Sequence, residues 1–248
     1  MKVALVTGSA RRLGRAIAER LADDGYAVWI HYNTSEAASI EVLEGIKARG
    51  GTAFRVQADV AKPDGVASLV AAVRDVSGRL DVLVNNVGRY DIADVLEHSR
   101  EDLEETLQAN LVGPFELCRA ARSLFPDAGG SIVNIGYTGL EALSSSPENL
   151  AYVISKTGLL LATKTLAERL GGDGVRVNMV SPGQLDISVD IPSDFDDTVP
   201  LGRPGKVEDV ADAVSWIVSD RAAYVTGQNL EVAGGYMLGL RDEREEPL

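Results

Sequence analysis

Tyr152 and Lys156 stand four residues apart in Asn149-Leu150-Ala151-Tyr152-Val153-Ile154-Ser155-Lys156. On a helix this spacing stacks two side chains on one face, so a phenol and an ammonium can enter the same cleft. A free phenol, with a pKa of about 10, is a poor acid–base group near neutrality. A neighbouring ammonium favours the phenolate and lowers that value, so the pair is expected to act as a tuned proton donor. Tyrosine and lysine are both common on helices. The pair takes its meaning from the elements that must position it.

The first of these is at the start of the chain. Val3-Ala4-Leu5-Val6-Thr7 is a short apolar run without alternation, as a parallel strand buried on both faces requires. It leads into Gly8-Ser9-Ala10-Arg11-Arg12-Leu13-Gly14, and Arg15–Ala22 then reads as an amphipathic helix. Strand, glycine turn and helix together make a phosphate cradle: Gly8 permits the tight turn, Gly14 lets helix and strand approach, and the helix N-terminus offers free N–H groups. The spacing departs from G-x-G-x-x-G, because Arg12 occupies the place of the middle glycine.

Further strand-like runs follow at Ala27–Tyr32, Ala53–Gln57, Val82–Asn85, Ser131–Ile135, Arg176–Val180 and Asn229–Val232, with helical patterns between most of them. Seven strands in β-α alternation predict a single α/β domain over residues 1–248, a doubly wound Rossmann fold with a seven-stranded parallel sheet flanked by helices. Ligands then sit at the carboxyl ends of the strands. Ser146-Pro147 predicts the start of the helix that carries Tyr152 and Lys156, and Gly171-Gly172 its end. Gly25 is expected to end the first crossover helix. Two stretches break the alternation: a small-residue loop at Leu140–Ser146, and a loop at Pro182–Pro204 with Asp186, Asp190, Asp194, Asp196 and Asp197, which reads as a substrate lid or a solvated surface. The tail Arg241–Leu248 is polar and expected to fray.

Composition narrows the function classes. The chain has 248 residues, 45% of them apolar, enough for one large core. Its 24 basic and 37 acidic residues leave a net charge of −13, which opposes nucleic-acid or anionic-membrane partners. The single Cys118 excludes an internal disulfide, suits a reducing, cytoplasmic compartment and reads as core filler on a helix over Asn110–Phe125. No apolar run approaches a membrane span, and Met1-Lys2-Val3 leads directly into the first strand, so no leader is expected. His31 and His98 contribute nothing decisive. With no His/Cys/Asp cluster at ligand spacing, no catalytic metal is expected.

Along its whole length the chain resembles the short-chain dehydrogenase/reductase family. The matching pieces are Thr7-Gly8 with Gly14, Asp59-Val60, Asn85-Asn86-Val87-Gly88, Asn110, Tyr152 with Lys156, Ser181-Pro182-Gly183, and Val225-Thr226-Gly227-Gln228 leading to Gly234-Gly235. The resemblance implies that Tyr152 protonates the substrate as hydride arrives. It implies that Lys156 lowers the phenol pKa and binds the nicotinamide ribose, and that Asn110 holds a water in the proton relay. Asp59 and Val60 would face the adenine, Asn86 and Gly88 would lie along the cofactor, and Pro182-Gly183 would approach the nicotinamide.

Cofactor choice follows from charge. The second strand ends in His31-Tyr32-Asn33-Thr34-Ser35, without the acid that accepts from an NAD ribose hydroxyl. Arg11 and Arg12 can instead pair with a 2′-phosphate, so NADP(H) is expected, with Leu13, Asn33 and Ser35 among its contacts.

The glycine turn with His31-Tyr32-Asn33 is similar to pteridine reductases, whereas Val199-Pro200-Leu201-Gly202-Arg203-Pro204 is equally similar to 3-oxoacyl carrier-protein reductases. The substrate is therefore open between a small ketone and a pterin-like C=N heterocycle, with Tyr90 where pteridine reductases place a stacking ring. One departure stands out. After Ile132-Val133-Asn134-Ile135-Gly136, where the family usually has a carbonyl-binding serine and pteridine reductases an aspartate, this chain has Tyr137 and then Thr138; Tyr137, Thr138 or a serine of Ser144–Ser146 can serve, or the Tyr137 ring shrinks the pocket. The rival reading is a cofactor-binding sensor or scaffold of the same fold with weakened chemistry. Apolar residues on several faces of the helices Asn110–Phe125 and Asn149–Arg169 predict a homo-oligomer, and the resemblance a tetramer.

Overall fold

The computed structural model describes residues 1–188, 191, 195–236 and 238, with the side chains of Asp197 and Thr198 excepted. Asp190, Asp194 and the tail Arg241–Leu248 lie outside the described residues. The seven strands are β1 (Val3–Val6), β2 (Ala27–Tyr32), β3 (Thr52–Gln57), β4 (Val82–Asn85), β5 (Gly130–Ile135), β6 (Val175–Pro182) and β7 (Asn229–Val232). They form one sheet of order β3-β2-β1-β4-β5-β6-β7, and every pairing is parallel. The central strands β1, β2 and β4 are buried at every position, which is why their sequences are mostly apolar runs rather than alternating ones, broken by His31 and Asn85 near their carboxyl ends.

Helices cover both faces: α1 (Arg12–Asp23), α2 (Glu36–Ala48), α3 (Pro63–Ser77), α4 (Arg100–Leu107), α5 (Gly113–Ala121), α6 (Leu150–Gly171), the short α7 (Phe195–Thr198) and α8 (Val207–Val218). Successive strand residues point to opposite layers. Val6, Ile30 and Val133 pack with Ile17 and Leu21 of α1 and Val214 and Ile217 of α8. Leu5, Leu83 and Ile132 pack on the other side with Leu69 of α3, Leu117 of α5 and Leu170 of α6.

Two helix boundaries differ from the sequence expectation. The Tyr152 helix begins at Leu150, with Asn149 and not Ser146 in the cap position. The carbonyls of Pro147 and Glu148 instead accept from the amides of Val95 and Ala93, both at 2.8 Å, and this tertiary pairing keeps the segment extended. The helix expected over Asn110–Phe125 is broken into a π turn at Gln108–Val112, α5, and a 3₁₀ turn at Arg122–Leu124. The C-terminal expectations hold: Gly25 follows α1 at φ +89°, and α6 ends at Gly171 with Gly172 as its cap.

The chain leaves β1 toward β3 and then returns to pair β4 with β1, so the direction of winding reverses between the carboxyl ends of β1 and β4. A doubly wound sheet binds its ligand in the crevice at such a point. Thr7-Gly8 and Asn86–Gly88 border it.

Candidate active site

The crevice floor is built from the turn after β4. Asn86 Nδ2 donates to the Thr7 carbonyl at 2.9 Å, and Thr7 Oγ1 accepts from the amides of Asn86 at 2.9 Å and Val87 at 3.1 Å. Asn86 thus joins β1 to β4. Gly88 follows, and a Cβ there would stand 3.6 Å from Lys156 Nζ and 3.9 Å from Asn110 Oδ1. The lysine, the asparagine and this turn therefore meet.

Asn110 lies in the π turn, whose signature bond runs from the Gly113 amide to the Gln108 carbonyl. Such bulges concentrate at functional sites. Pro114 has no N–H to donate to the Asn110 carbonyl four residues back, so the regular α-helical bond is missing at this point. The side chain is fully buried and fixed at both ends: Oδ1 accepts from the Arg89 amide at 2.7 Å, while Nδ2 donates to the Arg89 carbonyl at 2.9 Å and to Ser155 Oγ at 3.1 Å. Ser155 Oγ donates in turn to the Tyr152 carbonyl at 2.7 Å. Arg89 anchors this arrangement through its guanidinium, which pairs with Asp91, Asp102 and Glu105. Sequence reasoning missed Ser155 and Arg89, although Ser155 sits on the same helix face as the pair it supports.

Lys156 is buried, and its ammonium donates to the Ile135 carbonyl at the end of β5 at 2.7 Å. Burial lowers its pKa to about 8. It lies 5.7 Å from the centre of the Tyr152 ring. The expectation that lysine lowers the phenol pKa is not met within the chain itself. Burial pushes Tyr152 well above the ordinary phenol range, and Tyr137 and Tyr90 act in the same direction.

The glycine turn has the expected shape. Gly8 has φ +63°, and a Cβ on Gly14 would stand 2.3 Å from the Gly8 carbonyl oxygen, so neither position admits a side chain. Arg11 and Arg12 are exposed, whereas Leu13 packs partly into the core. Arg12 has φ +50°, a costly conformation for a residue with a Cβ, and its side chain lines the tyrosine cavity. At the end of β2, Asn33 is exposed and its carbonyl accepts from Gln57, while Ser35 stands at the start of α2. Asp59 accepts from the Ala61 amide at 3.1 Å and lies 3.6 Å from Lys62, and Val60 is buried. His31, read from sequence as indecisive, bridges this region: the Gly8 amide donates to its Nδ1 at 2.9 Å.

Above Tyr152 opens a cavity of about 480 Å³. Three tyrosines form one wall, Tyr90 edge-on to Tyr152 at 4.9 Å between ring centres and Tyr137 tilted against it at 5.4 Å. Burial raises the Tyr137 pKa as well. Pro182, Gly183 and Ile187 face them, as do Ser144, Ser145 and Ser146. Thr138 lines the cavity too, but its hydroxyl donates to Glu231 of β7 at 3.0 Å. The same carboxylate accepts from the Gly139 amide at 2.8 Å, and the Thr138 amide donates to the Pro182 carbonyl at 2.9 Å. The loop is therefore clamped with Tyr137 toward the cavity. Of the serines, Ser146 Oγ is taken up by Asn149. The expected lid contributes Gly183–Ser188 to the rim, Asp186 apart.

Comparison with known proteins agrees with this fold. A family model described as enoyl-(acyl carrier protein) reductase matches residues 8–237. The chain is 35% identical over 241 residues to a 3-oxoacyl-(acyl-carrier-protein) reductase, FabG, of Staphylococcus epidermidis, covering 94% of this chain and 98% of that protein. The crystal structure of an angucycline C-6 ketoreductase, LanV, with bound NADP has a TM-score of 0.88 at 32% identity, covering 96% of each chain. A blue fluorescent protein from a metagenomic library, in complex with NADPH, also has a TM-score of 0.88, at 34% identity, covering 95% of this chain and 98% of that one.

Proposed function

The chain belongs to the short-chain dehydrogenase/reductase family and is an oxidoreductase, and from that premise we propose that it is an NADP(H)-dependent reductase of small carbonyl compounds. The observation that carries the reading is the arrangement at the cavity floor: Tyr152 faces the cavity, Lys156 is buried behind it, and Ser155 links it to the clamped Asn110. NADPH, when bound, supplies the hydride. The chain's part is the proton. Burial holds the Tyr152 phenol protonated, so it enters the reaction as the proton donor, and the charge of Lys156 behind it offsets the cost of releasing that proton. Lys156, with its pKa near 8, is largely an ammonium at neutrality and can stabilise the phenolate that forms.

The turn fits the dinucleotide. Gly8 and Gly14 bring α1 close behind it, with Arg11 exposed at the helix start as a partner for a 2′-phosphate. Glu36, the first acid after β2, is paired with Arg55 at 3.8 Å, which leaves the strand end without a free carboxylate for a ribose hydroxyl. Arg12 lines the tyrosine cavity, which suits a contact with the pyrophosphate side or the substrate better than with the 2′-phosphate. A second reading, reduction of a pterin-like C=N bond, is favoured by Tyr90, whose half-open ring could stack on a flat heterocycle.

The test is NADPH and NADH consumption against a panel of ketones, 3-oxoacyl thioesters and pterins. Turnover of at least one class with NADPH is expected, and Arg11→Ala should weaken NADPH by about tenfold or more while leaving NADH nearly unchanged. Absence of turnover with cofactor still binding would select the sensor reading, and equal losses for the two cofactors would remove Arg11 from the 2′-phosphate.

Phe115 of α5 and Leu150, Ile154 and Leu161 of α6 are exposed apolar residues, which supports assembly as a homotetramer through these helices. Light scattering at micromolar concentration should report the oligomer, and a stable monomer would refute it.

A further inference from the structure

The chemistry above gives no role to His31, a buried titratable group beside the glycine turn. His31 is 1% exposed near the end of β2, and its ring is wedged between the glycine turn and the end of β3. Nδ1 accepts from the Gly8 amide at 2.9 Å, and Nε2 lies 3.1 Å from the Ala58 carbonyl. An amide can only donate and a carbonyl can only accept. The two contacts therefore admit one form of the ring, neutral and protonated on Nε2. The backbone is bound to the same turn: the Ser9 amide donates to the His31 carbonyl at 3.0 Å, and the His31 amide donates to Ser9 Oγ at 3.1 Å.

We propose that His31 is a positioning residue for the dinucleotide, a neutral strut of fixed tautomer that sets the distance between the Gly8 turn and Ala58-Asp59. The inference rests on the reading of Gly8–Gly14 and Asp59 as cofactor contacts. A turn at φ +63° directs the Gly8 amide away from any ladder partner, and the imidazole supplies the acceptor that the backbone does not. Losing that acceptor leaves an orphaned donor in a part-buried turn, which must then move to find another.

A charged ring cannot replace the neutral one, because it would set a second donor against the Gly8 amide. Burial holds the His31 pKa down to about 4, against the opposing pull of the Ala58 carbonyl and of Asp59. Asp59 is the charged group acting on the ring, and it is itself engaged by the Ala61 amide and Lys62. An unfolded histidine takes up its proton near pH 6.5. The stability contributed by the neutral ring is thus fully present above that pH and is lost as pH falls toward 4.

Two variants separate the ends of the strut. Asparagine places Oδ1 where histidine has Nδ1, keeping an acceptor for Gly8, whereas glutamine places its amide near Nε2 and keeps only the bond to Ala58. Calorimetric titration with NADP⁺ should show His31→Gln weakened by about tenfold, the loss of one hydrogen bond, with His31→Asn close to wild type. A glutamine variant that binds like wild type overturns the proposal, as does an asparagine variant that binds as poorly as glutamine. Wild-type protein that binds neither NADP⁺ nor NAD⁺ would instead overturn the cofactor reading.

The second measurement needs no variant of His31. The chain has two histidines, so ¹⁵N-histidine labelling, with His98→Asn for assignment, reads both rings directly. At pH 7 the His31 Nδ1 should be unprotonated and Nε2 protonated, with no cation forming down to pH 5. A proton on Nδ1, or a cation at pH 7, overturns the proposal even if the glutamine variant does not fold.

Discussion

Tyr152→Phe is expected to lower turnover by roughly 10²–10⁴, the range over which a positioned general acid acts, while NADP⁺ affinity changes little. The ring's contacts to Tyr90 and Tyr137 survive in phenylalanine, so the cavity wall keeps its shape and only the proton is removed. Burial makes the case sharper. With the phenol pKa raised, the rate should not fall on the alkaline side through loss of this proton. It should fall as pH rises through about 8, where Lys156 loses the charge that stabilises the phenolate. Single-turnover rates and titration calorimetry together decide the matter. Weaker cofactor binding with unchanged turnover would sink the assignment. Lys156→Ala differs in kind: its ammonium also ties α6 to the end of β5 through the Ile135 carbonyl, so stability should suffer along with the rate.

What the sequence made legible follows from how local each signal was. An unbroken apolar run such as Val3–Val6 can only be a strand covered on both faces, and all seven strands were found within a few residues. Gly8 and Gly14 were readable because no other residue fits their places. Ser146-Pro147 misled because its capping chemistry is local, whereas the pairing with Ala93 and Val95 that keeps it extended is not. The π turn had a faint signal in the spacing of Asn110 and Pro114. His31 had none. Its role depends on Gly8 and Ala58 arriving on either side of one ring, which the parallel pairing of β2 with β1 and β3 brings about. Burial of Tyr152, which helical spacing does not reveal, opposes the expected lowering of its pKa, and the Ile135 carbonyl sets where the Lys156 ammonium points.

Tyr137→Ser is expected to lower turnover by about 10², comparable to removing one oxyanion donor. The alternatives within the loop are weak. Thr138 spends its one proton on Glu231, and the bonds from Gly139 to Glu231 and from Thr138 to Pro182 prevent the loop from turning it toward the cavity. Ser146 is held by Asn149. Tyr137 lines the same cavity as Tyr152, its ring 5.4 Å away. A phenol O–H is a donor, which is what a developing oxyanion needs. Tyr137→Phe completes the test, since it removes the hydroxyl and leaves the wall. Equal losses in the serine and phenylalanine variants would assign the effect to the hydroxyl. If serine restored or raised activity on simple ketones while phenylalanine behaved like wild type, the tyrosine would be a steric wall that narrows the pocket. In that case Ser144 and Ser145, the other serines of that loop, are the next candidates for the carbonyl's second donor.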